Sequence, residues 1–193
     1  MDTKDAICNA ALELFSAGGL NAIVMRDVAK ALGVSAMMPY RYFPSKDHLL
    51  MELRTRSFRQ FTQSLIRAKS KAKTQAETLP YMCRGYLLFA YYKPNAYRLM
   101  FDLWAFENPA VIKAEFGESA KRQPGSWLEV KGAVEDRMLS QGSRLDLNET
   151  AHVVWSTLHG VASLYLANKL VFGCSYRQIC RPLISAILEG VDG

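Results

Sequence analysis

The chain has 193 residues, half of them hydrophobic and 22% charged, enough apolar matter for a core and too much for a disordered or collagen-like protein. Its 24 Lys and Arg against 18 Asp and Glu leave a net +6, all of it in residues 1–73, where 12 basic groups meet 6 acidic ones. Residues 74–193 carry 12 of each, so only the first part has the charge expected of a polyanion binder.

In chain order, Ile7, Ala10, Ala11, Leu14 and Phe15 form one apolar stripe at helical spacing, and Gly18-Gly19 ends that helix. Asp27 to Leu32 reads as a short second helix broken by Gly33, and about Ala36 to Phe43 as a third, stopped by Pro44. Ser45 is placed to cap a long fourth helix, with Asp47 favourable in its first turn. That helix carries Leu50, Leu53, Phe58, Phe61 and Leu65 and runs into the basic stretch Arg67 to Lys73. Further helices are expected near 78–92, 95–106, 109–118, 126–141, 149–171 and 176–190. Their breaks fall at Pro94, Asn108-Pro109, Pro124-Gly125, Gly142 and Gly173. Asn148 is positioned to cap the helix bearing Trp155, and Pro182 implies that the last helix kinks or begins late. The fold class is all-α: an N-terminal three-helix bundle over residues 1–60, then a larger helical domain over 61–193.

Several functions are not expected. Met1 to Cys8 has mixed charges and no apolar run, so no signal peptide is read there. The apolar stretch Val153 to Val171 is interrupted by Ser156, Thr157, His159, Asn168 and Lys169, which suits a buried helix better than a membrane span. Cys8, Cys83, Cys174 and Cys180 are scattered with no C-x-x-C pair, so neither a disulfide framework nor a metal site is expected, and a reducing cytoplasm fits. No cofactor motif or nucleophile elbow occurs, and His48, His152 and His159 lack an evident nucleophile partner. A small helical enzyme using an aromatic cavity is therefore the weaker alternative. A non-specific DNA-packing protein would leave the neutral, aromatic second part without a purpose.

The segment Asp27-Val28-Ala29-Lys30-Ala31-Leu32-Gly33-Val34-Ser35 and its continuation to Phe43 has the pattern of a helix-turn-helix, spanning about 24–43. Ala29 is small where two helices cross, Gly33 allows a positive-φ turn, and Val34 is expected to plug the gap. Ile7, Ala10-Ala11, Leu14-Phe15, Gly18, Arg26 to Ala29, Leu32 to Ser35 and Tyr40-x-Tyr42-Phe43-x-Ser45-Lys46-x-x-Leu49 together resemble the DNA-binding domain of the tetracycline-repressor (TetR) family. The likeness covers roughly residues 5–50. Trp155-x-x-x-His159-Gly160 is similar to the subclass whose ligand domain carries a Trp-His-Gly signature. The resemblance implies a dimeric regulator, most commonly a repressor released from double-stranded DNA by a small-molecule effector.

Carried over position by position, the resemblance implies phosphate contacts from Ser35, Tyr40 and Lys46, with Arg26 reaching the DNA backbone. Ala36, Met37, Met38, Pro39 and Arg41 are expected on or near the groove-facing side, with Tyr42 beside them. Arg41 alone of these can pair bidentately with guanine, while Ala36 and Met37 suit thymine methyl groups. Phe43 is read as core. Three residues depart from the family pattern: Val24 where Thr usually caps the second helix, Met37 where Gly is usual, and Pro39 early in the recognition helix.

In the second part the resemblance implies a ligand pocket, for which aromatics are the candidates: Phe61, Tyr86, Phe89, Tyr97, Phe101 and Trp104, with Leu65, Trp155 and His159. An apolar or aromatic effector suits such a lining. The helix holding Trp155 is apolar on more than one face and the last helix has a matching stripe. Leu158, Val161, Tyr165, Leu183, Ile184 and Ile187 are the candidates for a two-fold, four-helix dimer interface. Such a dimer requires a near-palindromic operator.

Overall fold

The computed structural model describes residues 2–101, 110, 111, 113–115, 117 and 125–193. Among them every regular element is helical and none is a strand. The helices are α1 (Thr3–Gly18), α2 (Met25–Ala31), α3 (Lys46–Lys69), α4 (Gln75–Tyr92), α5 (Pro94–Phe101), α6 (Gly125–Gln141), α7 (Leu147–Leu166) and α8 (Tyr176–Asp192). The chain divides into two compact units, Met1–Ser57 with Asn95–Arg122, and Phe58–Pro94 with Gln123–Gly193. A single cut at residue 60 therefore differs from the packing, which returns residues 95–122 to the first unit.

The first unit is built on α1, whose N-terminal N–H of Lys4 is accepted by the Asp2 carboxylate. The predicted stripe lies inward: Ile7, Ala10, Ala11 and Phe15 are buried with Ile23, Met25, Val28, Phe43, Leu49, Leu50 and Leu53. Leu99 of α5 completes this core, and Asn95 Nδ2 donates to Ser16 Oγ at 2.8 Å. That packing is the reason the later segment joins the first unit. One carboxylate clamps α1 to α3: Glu52 accepts from Lys4 Nζ at 3.1 Å and from Arg56 Nε at 2.8 Å, while Arg56 Nη1 donates to Asp5 at 2.7 Å.

The turn after α2 is set by Gly33, at φ +66°. Its N–H bonds to the Lys30 carbonyl and that of Val34 to the Ala29 carbonyl, the paired bonds of a Schellman stop. Ala29 is buried, as its size predicts. Val34 does not plug the gap; it is 36% exposed, and Leu32 and Met38 pack against the core instead.

Residues 36–43 do not form one α-helix. Residues 36–38 make a turn and only Pro39–Arg41 is regular, as a 3₁₀ helix. Pro39 has no N–H to offer the Ser35 carbonyl, which takes the Met38 N–H at 3.0 Å instead. The Tyr42 N–H likewise bonds three residues back, to Pro39 at 3.1 Å.

The second unit packs α4, α6, α7 and α8 around Leu79, Met82, Tyr86, Val130, Ala133, Val134, Ala151, Val154 and Leu158, all buried. Gly85 allows α4 to lie against the end of α3: a Cβ there would come within 2.4 Å of Ala68 Cβ. Pro80 sits inside α4 and leaves the Ala76 carbonyl without a helical donor. Arg137 Nη1 reaches that carbonyl at 3.3 Å while its Nε donates to Asp192 at 2.7 Å, tying α6 to α4 and to the end of α8.

Three predicted details change. Asp146, not Asn148, caps α7, its carboxylate accepting the Glu149 N–H at 2.9 Å. That helix ends at Leu166, and Asn168 then adopts φ +54°. The last helix starts at Tyr176 and passes through Pro182, because Ser175 and Gln178 form a complete capping box. Among the described residues no helix is long and apolar enough to cross a membrane, and no group of three His, Cys, Asp or Glu is placed to hold a metal ion.

Candidate nucleic-acid interface and ligand site

The helix-turn-helix presents a compact polar surface. Arg26, Ser35, Ala36, Met37, Tyr40, Arg41 and Tyr42 are exposed, Met37 at 69% and Tyr40 at 43%. Lys46 is half-buried at the first position of α3. Pro39 is the exception: it is buried, so it anchors the turn and has no surface to offer a base. Among the described residues Arg26, Arg41 and Lys46 make no ion pair, and the Tyr40 and Ser35 hydroxyls make no hydrogen bond. Polar groups held at an edge without internal partners are suited to phosphate oxygens and base edges.

Two local devices hold these groups in place. Ser45 Oγ accepts the His48 N–H at 3.4 Å and lies 2.8 Å from His48 Nδ1. His48 Nε2 sits 2.6 Å from Glu115 Oε2. With Nε2–H donating to Glu115, Nδ1 is left to accept the Ser45 hydroxyl, which orients the start of α3 and hence Lys46. Ser45 is legible in sequence as the cap, but Glu115 is not, since it lies 67 residues from His48. At the other helix, Val24 occupies the cap position of α2 with no side-chain hydrogen bond, as its apolar side chain dictates. Burial alone would raise the Glu52 carboxyl, but its bonds from Arg56 and Lys4 outweigh that and hold it below the usual carboxylate range.

The unit boundary redistributes the charge. Residues 1–57 carry seven basic and six acidic groups, only +1. Residues 58–94, in the second unit, carry seven basic groups and one acidic. The surplus of residues 1–73 thus lies mostly outside the helix-turn-helix unit, and the expectation that it all serves polyanion binding there is revised.

The candidate ligand residues fall into separate groups. In the second unit Phe61, Leu65, Tyr86 and Phe89 are buried together; the Phe61 ring meets Tyr86 edge-on at 4.9 Å and Phe89 at 5.0 Å. Trp155 and His159 are half-buried on α7, their rings stacked at 5.8 Å. Burial pushes the His159 imidazole below its ordinary value, so at neutral pH it is an uncharged hydrogen-bonding group, with Nε2 3.3 Å from Ser163 Oγ. Trp127 of α6, which the sequence reading passed over, meets Trp155 edge-on at 6.1 Å and lies 4.4 Å from His152. An isolated Trp 28 residues before Trp155 carries no local signal of that contact. Tyr97 and Phe101 pack together in the first unit at 4.8 Å, and Trp104 lies outside the described residues.

The candidate dimer residues are also divided. Leu158, Val161 and Ile187 are buried within their own unit. Tyr165 is stacked on Tyr176 at 4.3 Å, and the Tyr176 hydroxyl donates to the Leu87 carbonyl at 2.8 Å. Leu183 and Ile184 are half-buried, and Val153 and Leu164 of α7 are exposed, Val153 at 65%. A groove of about 410 Å³ runs between α7 and α8, with Val153, Val154, Ala186 and Ile187 in its walls.

Comparison with known proteins agrees with this geometry. The family of bacterial regulatory proteins described as the tetR family matches residues 7–53, and a tetracyclin repressor-like C-terminal domain matches residues 79–185. The HTH-type transcriptional repressor KstR of Mycolicibacterium smegmatis is 36% identical over 81 residues, covering 42% of this chain and 40% of that protein. KstR of Rhodococcus jostii is 44% identical over 57 residues, covering 30% and 27%. The matched segments thus span less than half the length of these relatives. Solved structures extend the likeness in fold to the whole chain. A protein of unknown function from Rhodococcus sp. RHA1 has a TM-score of 0.81 at 19% identity, covering 100% of this chain and 97% of that one. The regulator FadR of Bacillus subtilis, in complex with stearoyl-CoA, has a TM-score of 0.72 at 19% identity, covering 96% and 98%.

Proposed function

Because the chain belongs to the tetR family of bacterial regulatory proteins, we propose that it is a homodimeric, sequence-specific transcriptional repressor acting in the cytoplasm. It leaves a near-palindromic operator when a small apolar or aromatic effector enters its second unit. The observation that carries this reading is the edge of exposed Arg26, Tyr40, Arg41 and Tyr42 on the helix-turn-helix, with Lys46 beside them and no carboxylate pairing the three cations among the described residues.

Tyr40, Ser35, Lys46 and Arg26 hold phosphates, and Arg41 with Met37 and Ala36 reads base edges. Dimerisation uses the outer faces of α7 and α8: Val153 and Leu164 supply exposed apolar surface, and Leu183, Ile184 and the rims of Val161, Tyr165 and Ile187 supply the rest. Leu158 is left out, since a side chain wholly buried in its own unit offers nothing to a partner. The effector site is confined to the second-unit residues Phe61, Leu65, Tyr86 and Phe89 with Trp155 and His159. The FadR neighbour's bound stearoyl-CoA, a long apolar tail on a polar carrier, supports an apolar effector. Release needs only a preference of the effector for one of two conformers, worth about 1–3 kcal/mol of coupling.

Selection of bound sequences from random duplex DNA at near-physiological salt tests the reading. A recovered palindrome with half-sites about one helical turn apart is expected. Binding that shows no sequence preference and vanishes at modest salt overturns it.

A further inference from the structure

We propose that the cleft between the end of α3 and α4 binds the pyrophosphate-bearing, nucleotide-like head of the effector, so that the effector is an apolar group carried on an organic phosphate. This rests on the effector reading above and names its chemical class.

Most of the surplus positive charge of residues 1–73 lies beyond the helix-turn-helix. Residues 58–94 hold Arg59, Arg67, Lys69, Lys71, Lys73, Arg84 and Lys93 against the single acid Glu77. Lys69 is neutralised by Glu129 at 2.9 Å. Arg67, Lys71 and Lys93 converge instead on one cleft of about 460 Å³, within the range of small-molecule sites. No acidic residue lines that cleft, and none of the three cations has a carboxylate partner among the described residues. Three like charges around one concavity repel one another, so the arrangement is favourable once a polyvalent anion lies between them. A lone carboxylate would offset only one of the three; two linked phosphates match better.

The remaining walls specify more than an inorganic ion. Gln60, Gln63 and Ser64 line one side and offer hydrogen bonds in both directions. Tyr92 lines the other; its ring meets that of Tyr91 at right angles, 5.0 Å between centroids, yet it is 64% exposed and leaves aromatic surface on which a base or sugar ring can pack. Phe89 belongs to both places: it lines the cleft, and its ring is 5.0 Å from Phe61 in the buried aromatic cluster. A ligand with its phosphates at Arg67, Lys71 and Lys93 therefore has its apolar end directed at Phe61, Leu65 and Tyr86. Gly85 lines the cleft as well and, by letting α3 and α4 approach, fixes its width.

The test is calorimetric titration of the full chain with coenzyme A, a nucleotide head without a tail, and separately with decanoate, a tail without a head. Wild type is compared with the Arg67→Gln/Lys71→Gln double variant and with Lys93→Gln. These positions are exposed, so the variants should melt with the parent. Coenzyme A should bind wild type, weaken with added NaCl, and lose at least about tenfold in affinity in the double variant. Decanoate affinity should stay unchanged. Coenzyme A binding that is absent, or equal in all three proteins, overturns the proposal. So does a double variant that loses random duplex DNA while keeping coenzyme A, since the cleft would then be a polynucleotide surface. If coenzyme A behaves as expected but neither decanoate nor a decanoyl thioester releases selected operator DNA, the head site stands and the effector reading fails.

Discussion

Val24 is the residue at which this protein can most simply be improved. It stands at the cap of α2 with an apolar side chain and no hydrogen bond to the helix. Val24→Thr should add about 1 kcal/mol of stability in urea titration and tighten operator binding, because the hydroxyl both caps α2 and can donate to a phosphate. Arg41 and Lys46 should separate by kind of contact. Arg41→Ala should relax preference at one base position of a selected operator, at a cost of about 1–3 kcal/mol against the correct base. Lys46→Ala should weaken binding to every sequence alike and lower the salt slope by about one. Equal effects of both on all sequences would remove Arg41 from the groove. At this scale the sequence is a good guide to residues that must be exposed or buried by type, such as Phe43 and Ala29. It misleads at Pro39 and Val34, where burial depends on which way a turn carries the backbone.

The element scale shows why turns were harder to read than helices. The stripe of α1 and the Gly33 stop follow from periodicity and φ alone. The segment after Gly33 has helical composition, yet the missing Pro39 N–H shifts its bonding to i→i+3 and shortens it. Pro80 and Pro182, by contrast, sit inside continuous helices, and Arg137 occupies the carbonyl that Pro80 leaves open. A proline's effect thus depends on tertiary partners that no local window contains. The contact of α3 with α4 is equally non-local. Gly85→Ala would set a methyl against Ala68 and should destabilise by about 1–3 kcal/mol, with the cleft between the two helices widened; a melting temperature equal to wild type would mean that the helices yield without cost. The α1–α3 clamp gives an acid limb. The Glu52 carboxyl is depressed in the folded protein, so its contribution is present above the unfolded value of about 4.3 and is lost as pH falls through the folded value. Glu52→Gln should therefore be less stable than wild type at neutral pH, with the difference narrowing on acidification in urea titrations across that range.

For the whole molecule the all-α class and the helix-turn-helix were legible because both rest on patterns within tens of residues. The division of the chain was not, since Leu99 enters the first core and Asn95 reaches Ser16 only once the chain has folded back. The aromatic candidates were identified by type, but only the structure separates the Phe61 cluster from the Trp127–Trp155 group. The division of the chain also distributes the charge, leaving most of the surplus of residues 1–73 in the second unit. With Arg26 and Lys46 the phosphate-facing cations, a dimer neutralises about four phosphates, and log K against log salt should fall with a slope of about −4. Arg67→Gln/Lys71→Gln should leave that slope unchanged; a flatter slope would place those cations on DNA. Val153→Arg should shift the protein towards monomer in sedimentation and abolish binding to the full palindrome. The first unit's net charge of only +1 also bears on life inside a bacterium. Most of the chromosome is decoy, and a regulator with little general attraction to it loses few copies there. On the proposed function, a small number of molecules per cell then suffices to keep the operator occupied, and release follows a modest rise in effector rather than a flood.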